Sequence, residues 1–296
     1  MRAVAGPGRW SSGRWIWGLS GLITATAIAV PGALLIASPG DPGHVYVQPQ
    51  HVVTRTETVP QPVTSLVVQS YGGQVQVTSG QVNRVQITET IAYDQQARPP
   101  AVMQSVSGGR LDLSGRACAS ADCYVNFRMT VPPGVTVTVS TGGGPVAVSG
   151  TAGAVLASGG GPVRATLIGG PLTVNTAGGS LDLRGLSGPL RTDTGGGTLV
   201  AQDLAAATAT ITTGGGTATV AFDAAPESVS VTTDGGAAVL AVPGGPYAVT
   251  ADSGGGPESL DIATDPAARP TLTVSSGGGP LRIEPAPRLR LPGPSA

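Results

Sequence analysis

The chain has no lysine, and only 11% of its 296 residues are charged. Aromatic residues make up 3%, and there are two histidines and two cysteines. Without lysine there is no phosphate-loop cation. A phosphate loop also needs a helix after its glycine-rich turn, and here strand-like sequence follows every such turn. All 17 acidic residues lie after residue 40 together with 13 of the 16 arginines, so that part carries a net charge of −4. Nucleic-acid binding needs a basic face, and no nucleic-acid partner is expected. The three tryptophans, Trp10, Trp15 and Trp17, sit near the N-terminus, so the rest of the chain lacks broad platforms for sugar rings. The missing lysine, beside a bias to Ala, Gly, Arg and Pro, reads as codon pressure from a GC-rich genome. His44 and His51 lie in a Pro/Gln-rich stretch and read as incidental, not as ligands.

What is abundant is glycine, 46 residues, and its placement is periodic. Eight triplets start at Gly142, Gly159, Ala177, Gly195, Gly214, Asp234, Gly254 and Gly277, at spacings of 17 to 23 residues. A period near twenty marks a repeat architecture. The positions five and three before each triplet, and four and six after it, are apolar in all but Thr192 and Glu258. That period of two predicts short strands with one buried face. The apolar spacing of three and four that a helix needs is absent. No single unit can bury its own face, but stacked units form continuous apolar columns. The expected fold is all-β, a parallel β-solenoid of 17–23-residue coils. The alternative is an antiparallel β-sandwich with hairpins at the triplets. Small polar residues just before the triplets, among them Thr141, Ser158 and Thr213, are expected to form a hydroxyl ladder down one edge.

Residues 1–14 carry Arg2, Arg9 and Arg14 and no acid, and form a basic segment. Residues 15–37 are uncharged and long enough to span a bilayer, so a single N-terminal transmembrane helix is expected with its N-terminus in the cytoplasm. The alternative is secretion after cleavage near Ala29, at the small-x-small site Ala27-Ile28-Ala29. Residues 38–62 read as an extended Pro/Gln-rich stalk, 63–131 as an irregular opening that caps the solenoid, 132–284 as the regular repeats and 285–296 as a frayed tail. Cys118 and Cys123 lie five apart in a polar loop. In an exported chain they read as a short disulfide.

Asp193, Asp234 and Asp252 fall at or just before triplets. A row of carboxylates at one corner suits calcium, but the Gly-Gly-x-Gly-x-Asp spacing of a calcium β-roll is absent. They read as solvated turn caps and, with Thr141, Ser158 and Thr213, as a candidate polar edge for interaction. The other acids are scattered, and no carboxylate pair stands ready for acid–base work. No cofactor, metal or catalytic residue is expected.

The first strand around a Gly-Gly (Val67–Val77), the Leu-x-Leu element with its Cys loop (Leu111–Cys123), the Val-Pro-Pro-Gly strand end (Val131–Gly134) and the TGGGPVAVSG-type repeats resemble a known family. It is the bacterial adhesin-type family of β-strand-repeat proteins, with a head-GIN-like domain of unknown function. The resemblance spans residues 63–284 and implies a membrane-associated β-solenoid with no catalytic residues to carry over. The expected function is therefore a cell-surface, membrane-anchored interaction or scaffold module, binding cell-wall glycan or an envelope protein, with self-association open to its exposed ends. Two alternatives are an envelope-stress sensor acting through a membrane partner and a carbohydrate-active β-helix enzyme.

Overall fold

The structure, a computed structural model, describes residues 51–93, 99–115 and 123–286. The basic segment, the expected transmembrane helix and most of the tail lie outside them. Among the described residues no helix is long and apolar enough to cross a membrane.

All regular structure in the described residues is strand. In chain order it begins with β1 (His51–Thr58), β2 (Ser65–Ser70), β3 (Val75–Ser79), β4 (Gln86–Tyr93), β5 (Val102–Ser107), β6 (Arg110–Gly115) and β7 (Tyr124–Val131). The repeats supply β8 (Thr136–Thr141), β9 (Val146–Ser149), β10 (Gly153–Ser158), β11 (Val163–Thr166), β12 (Leu172–Thr176), β13 (Leu181–Leu186), β14 (Leu190–Thr194) and β15 (Leu199–Leu204). They continue as β16 (Thr208–Thr213), β17 (Ala218–Phe222), β18 (Ser228–Thr233), β19 (Ala238–Val242), β20 (Ala248–Asp252), β21 (Glu258–Leu260), β22 (Thr271–Ser275) and β23 (Leu281–Pro285).

The strands form two sheets of mostly parallel pairs, and the repeats alternate between them. One sheet runs β1-β4-β7-β3-β9-β11-β13-β15-β17-β19-β23-β21; the other runs β20-β22-β18-β16-β14-β12-β10-β8-β2-β6-β5. The two strands flanking a triplet lie in different sheets, so no hairpin forms there. Among the described residues antiparallel pairing is confined to β1–β4, β4–β7 and β5–β6, all before the repeats.

Alternation explains the core. The columns Val139–Leu156–Val174 in one sheet and Val146–Val163–Leu181 in the other are in register and sealed from solvent. Burying each such side chain contributes about 1.5–3 kcal/mol before entropy is counted. Two polar intrusions fare differently. Thr192 is buried, and its hydroxyl has no hydrogen-bond partner among the described residues. Glu258 is exposed, because its unit, β20–β21, sits at the end of both sheets.

The stacking order at the two ends departs from chain order. The last unit, β22–β23, lies between β18–β19 and β20–β21. At the other end β2–β3 lies between β8–β9 and β6–β7. The C-terminal exchange leaves Glu258, a carboxylate at a core-column position, in a unit with one side open to water, where its burial cost is avoided.

Glycine is needed at the third triplet position for stacking. A Cβ built on Gly197 meets the carbonyl oxygen of Gly179 at 2.1 Å, while one on Gly196 meets nothing within 4 Å. One segment differs from its reading. His51–Thr58, within the expected stalk, pairs along its whole length with β4, and the His51 ring stacks on Tyr93 at 5.5 Å.

Candidate functional site

Strand parity decides which repeat residues reach solvent. Thr141, Ser158 and Thr213 share the parity of the core columns, so they point inward, and all three are buried. The Thr141 hydroxyl donates to the Gly144 carbonyl at 3.0 Å, Ser158 to Gly161 at 3.1 Å and Thr213 to Gly216 at 2.8 Å. Each hydroxyl thus closes its own glycine corner. These three hydroxyls bond within their own corners, with one contact between neighbours, Thr141 to Ser158 at 3.5 Å, and they lie inside the corner instead of at the edge.

The outward residues lie one position earlier. Gln69, Ser140, Ala157, Asn175, Asp193, Thr212, Thr232, Ser275 and Asp252 are in register on neighbouring strands. Only Ala157 is apolar, and parallel neighbours stand about 4.8 Å apart, so the row is a nearly unbroken polar track along the stack. Over β8, β10, β12 and β14 it lines an open groove of about 420 Å³ with Ser140, Asn175 and Asp193 on its wall.

Beyond the groove the track widens into a hydroxyl field. Thr208, Thr210 and Thr212 on β16 register with Ser228, Ser230 and Thr232 on β18, and these with Thr271, Thr273 and Ser275 on β22. Side chains along a strand repeat every two residues, about 6.6 Å. The field is therefore a three-by-three lattice of hydroxyls near 4.8 by 6.6 Å. Within it one direct bond forms, from Thr271 to Ser228 at 3.2 Å, which leaves most donors and acceptors free for a ligand or water. Arg191 heads the middle column opposite Thr210 and makes no ion pair among the described residues.

The three predicted aspartates border this field without converging. Asp193 and Asp252 occupy the same column at its two ends, four strand steps and so about 19 Å apart. Asp234 lies at the corner after β18. Asp252 accepts the Gly254 amide at 2.9 Å in an Asx turn. Among the described residues no three His, Cys, Asp or Glu side chains are grouped to hold a metal. Cys123 is disulfide-bonded, and Cys118 lies outside the described residues. Sequence reasoning missed the hydroxyl field. Its signal was the Thr-x-Thr-x-Thr run at 208–212 and its counterparts at 228–232 and 271–275.

The opposite sheet presents a different face. Arg164 and Arg184, both exposed, pair with the half-buried Asp182 at 3.1 and 2.8 Å, and such surface pairs contribute little to stability. Hydrogen bonding to Asp182 holds the Arg184 guanidinium above its already high ordinary pKa. These charges satisfy one another.

No protein-family model matches the chain, and no curated protein matches it. Among solved structures it is similar to a candidate adhesin of Bacteroides fragilis at 16% identity and a TM-score of 0.48, over 80% of this chain and 99% of that one. It is also similar to a candidate adhesin of Parabacteroides distasonis at 12% identity and a TM-score of 0.48, over 79% and 97% of the two chains. A candidate lipid-binding protein of the same organism matches at 10% identity and a TM-score of 0.39, over 78% and 96%.

Proposed function

We propose that this chain is a non-catalytic, cell-surface β-solenoid, anchored through residues 15–37, that holds a linear envelope polymer along its polar track. The single observation behind this reading is the row from Ser140 to Asp252 with its hydroxyl lattice. A row of donors and acceptors at a fixed short spacing matches a partner that repeats along its own length, such as a cell-wall glycan. Hydroxyls, an amide and isolated carboxylates at low charge density suit neutral hydroxyl and amide groups better than phosphates. The scarcity of aromatics makes each contact weak, so affinity would come from many contacts in register.

Retention of the full-length protein on purified cell-wall glycan tests this. Thr212→Arg with Thr232→Arg, both outward on the track, should reduce retention at least tenfold. Thr219→Arg, outward on the other sheet, should leave it unchanged. Equal retention of all three proteins would refute the track as the binding surface. Capture of one defined membrane protein, with no retention on glycan, would instead favour the envelope-sensor reading.

A further inference from the structure

β1 is the terminal strand of its sheet, and among the described residues it pairs with β4 alone. The ladder continues past Thr58, where the Val59 amide donates to the Val85 carbonyl at 2.9 Å. Antiparallel pairs alternate between hydrogen-bonded and open, so odd-numbered residues of β1 turn their main-chain groups to β4. The N–H and C=O groups of Thr54, Thr56 and Thr58 therefore point out of the sheet edge. An eight-residue edge without proline or a bulge is a template for another strand. The opposite end of this sheet offers only the three residues of β21.

Side-chain charge gives the edge a preferred partner. Arg55 lies opposite Glu89, and Glu57 opposite Ile87, on the inward face. Glu89 is 7% exposed, and among the described residues Oε1 of Glu57 is buried with no hydrogen-bond partner. This face holds two carboxylates and one guanidinium, and Arg55 makes no ion pair within the chain among the described residues.

We propose that β1 docks β1 of a second copy of this chain, antiparallel about a two-fold axis at Thr56. In that register Thr56 faces Thr56 of the second copy, and Thr54 faces Thr58, so the outward main-chain groups meet one another. Arg55 then lies opposite Glu57 of the second copy, and Glu57 opposite its Arg55, in the open pairs where side chains approach most closely. Glu57 gains a cation that it does not pair with among the described residues. Centring the axis on Arg55 would set the two guanidinium groups against each other, which disfavours that register. The contact is isologous, so it closes as a dimer and does not propagate.

The test uses the full-length chain in detergent micelles, followed by sedimentation equilibrium. The wild type should dimerise. Glu57→Arg should weaken the dimer at least tenfold, and the exchange Arg55→Glu with Glu57→Arg should restore it to within about threefold. An independent arm is Thr56→Cys, since facing residues of a hydrogen-bonded pair lie about 5.5 Å apart at Cα, within disulfide reach. Thr56→Cys should crosslink to itself on mild oxidation. Thr54→Cys alone should not, but should crosslink when mixed with Thr58→Cys. A monomer at all micromolar concentrations, a dimer indifferent to Glu57→Arg, or a Thr56→Cys that stays uncrosslinked would overturn the proposal.

Discussion

The units β14–β15 and β20–β21 share the strand–triplet–strand pattern, yet only the first has neighbours on both sides. In β14–β15 the inward Leu190, Thr192, Leu199 and Ala201 are all buried. In β20–β21 Val249 and Ala251 are half-buried, and Glu258 and Leu260 are exposed. The comparison shows that a unit's stability here is borrowed from its neighbours. The same side chain in the same pattern is core in the middle and surface at the end.

The sharpest way to break the middle is at the glycine corner. Gly197→Ala should cost about 4 kcal/mol or more, because its Cβ would overlap the Gly179 carbonyl at 2.1 Å, and backbone cannot yield cheaply. Gly196→Ala, with open space, should stay within about 0.5 kcal/mol. Thermal melts of the two variants should differ by about 10 °C. A similar loss in both would show that chain entropy, and not steric contact, governs the triplets.

The next comparison is between the same inward position in a central and an end unit. Leu183→Ala should cost about 2–5 kcal/mol and Leu260→Ala about 0.5 kcal/mol or less. Leu183 is fully buried and Leu260 is 41% exposed. Denaturant unfolding gives both values, and equal losses would mean that the end unit is as tightly covered as the middle.

The smallest expected effect is a pH dependence at the N-terminal end. Burial raises the Glu89 pKa, the Glu57 charge raises it further, and Arg55 opposes the shift. The unfolded chain releases this proton near the ordinary glutamate value of about 4.3, while the folded chain holds it to higher pH. Above that value the folded state binds more protons, so stability falls as pH rises until the folded pKa is passed. Glu89→Gln should flatten this fall in melts taken from pH 4 to 7. An unchanged slope would assign the fall to other groups.

The core columns were legible because side-chain alternation is local and repeats in phase eight times. The same parity, carried one step further, places Thr141 and its equivalents inward. They were read as an edge because the glycine corner hides that they continue the strand. Asp193 and Asp252 were legible as outward residues, but their separation depends on how many strands lie between them. The exchanged order of the end units was not legible. It depends on where the connection from Asp261 to Pro270 carries the chain, and no local pattern encodes that path.

The insertion of β22–β23 beneath β20–β21 has a mechanical consequence. A chain held by its N-terminal side and pulled from beyond residue 286 cannot shed its units one by one from the tip. The tension reaches β23 first, and β23 is hydrogen-bonded between β19 and β21. The load therefore has to break two ladders at once before the end unit comes free. The C-terminal end behaves as a clasp under force, although it is the least buried part of the repeats at rest.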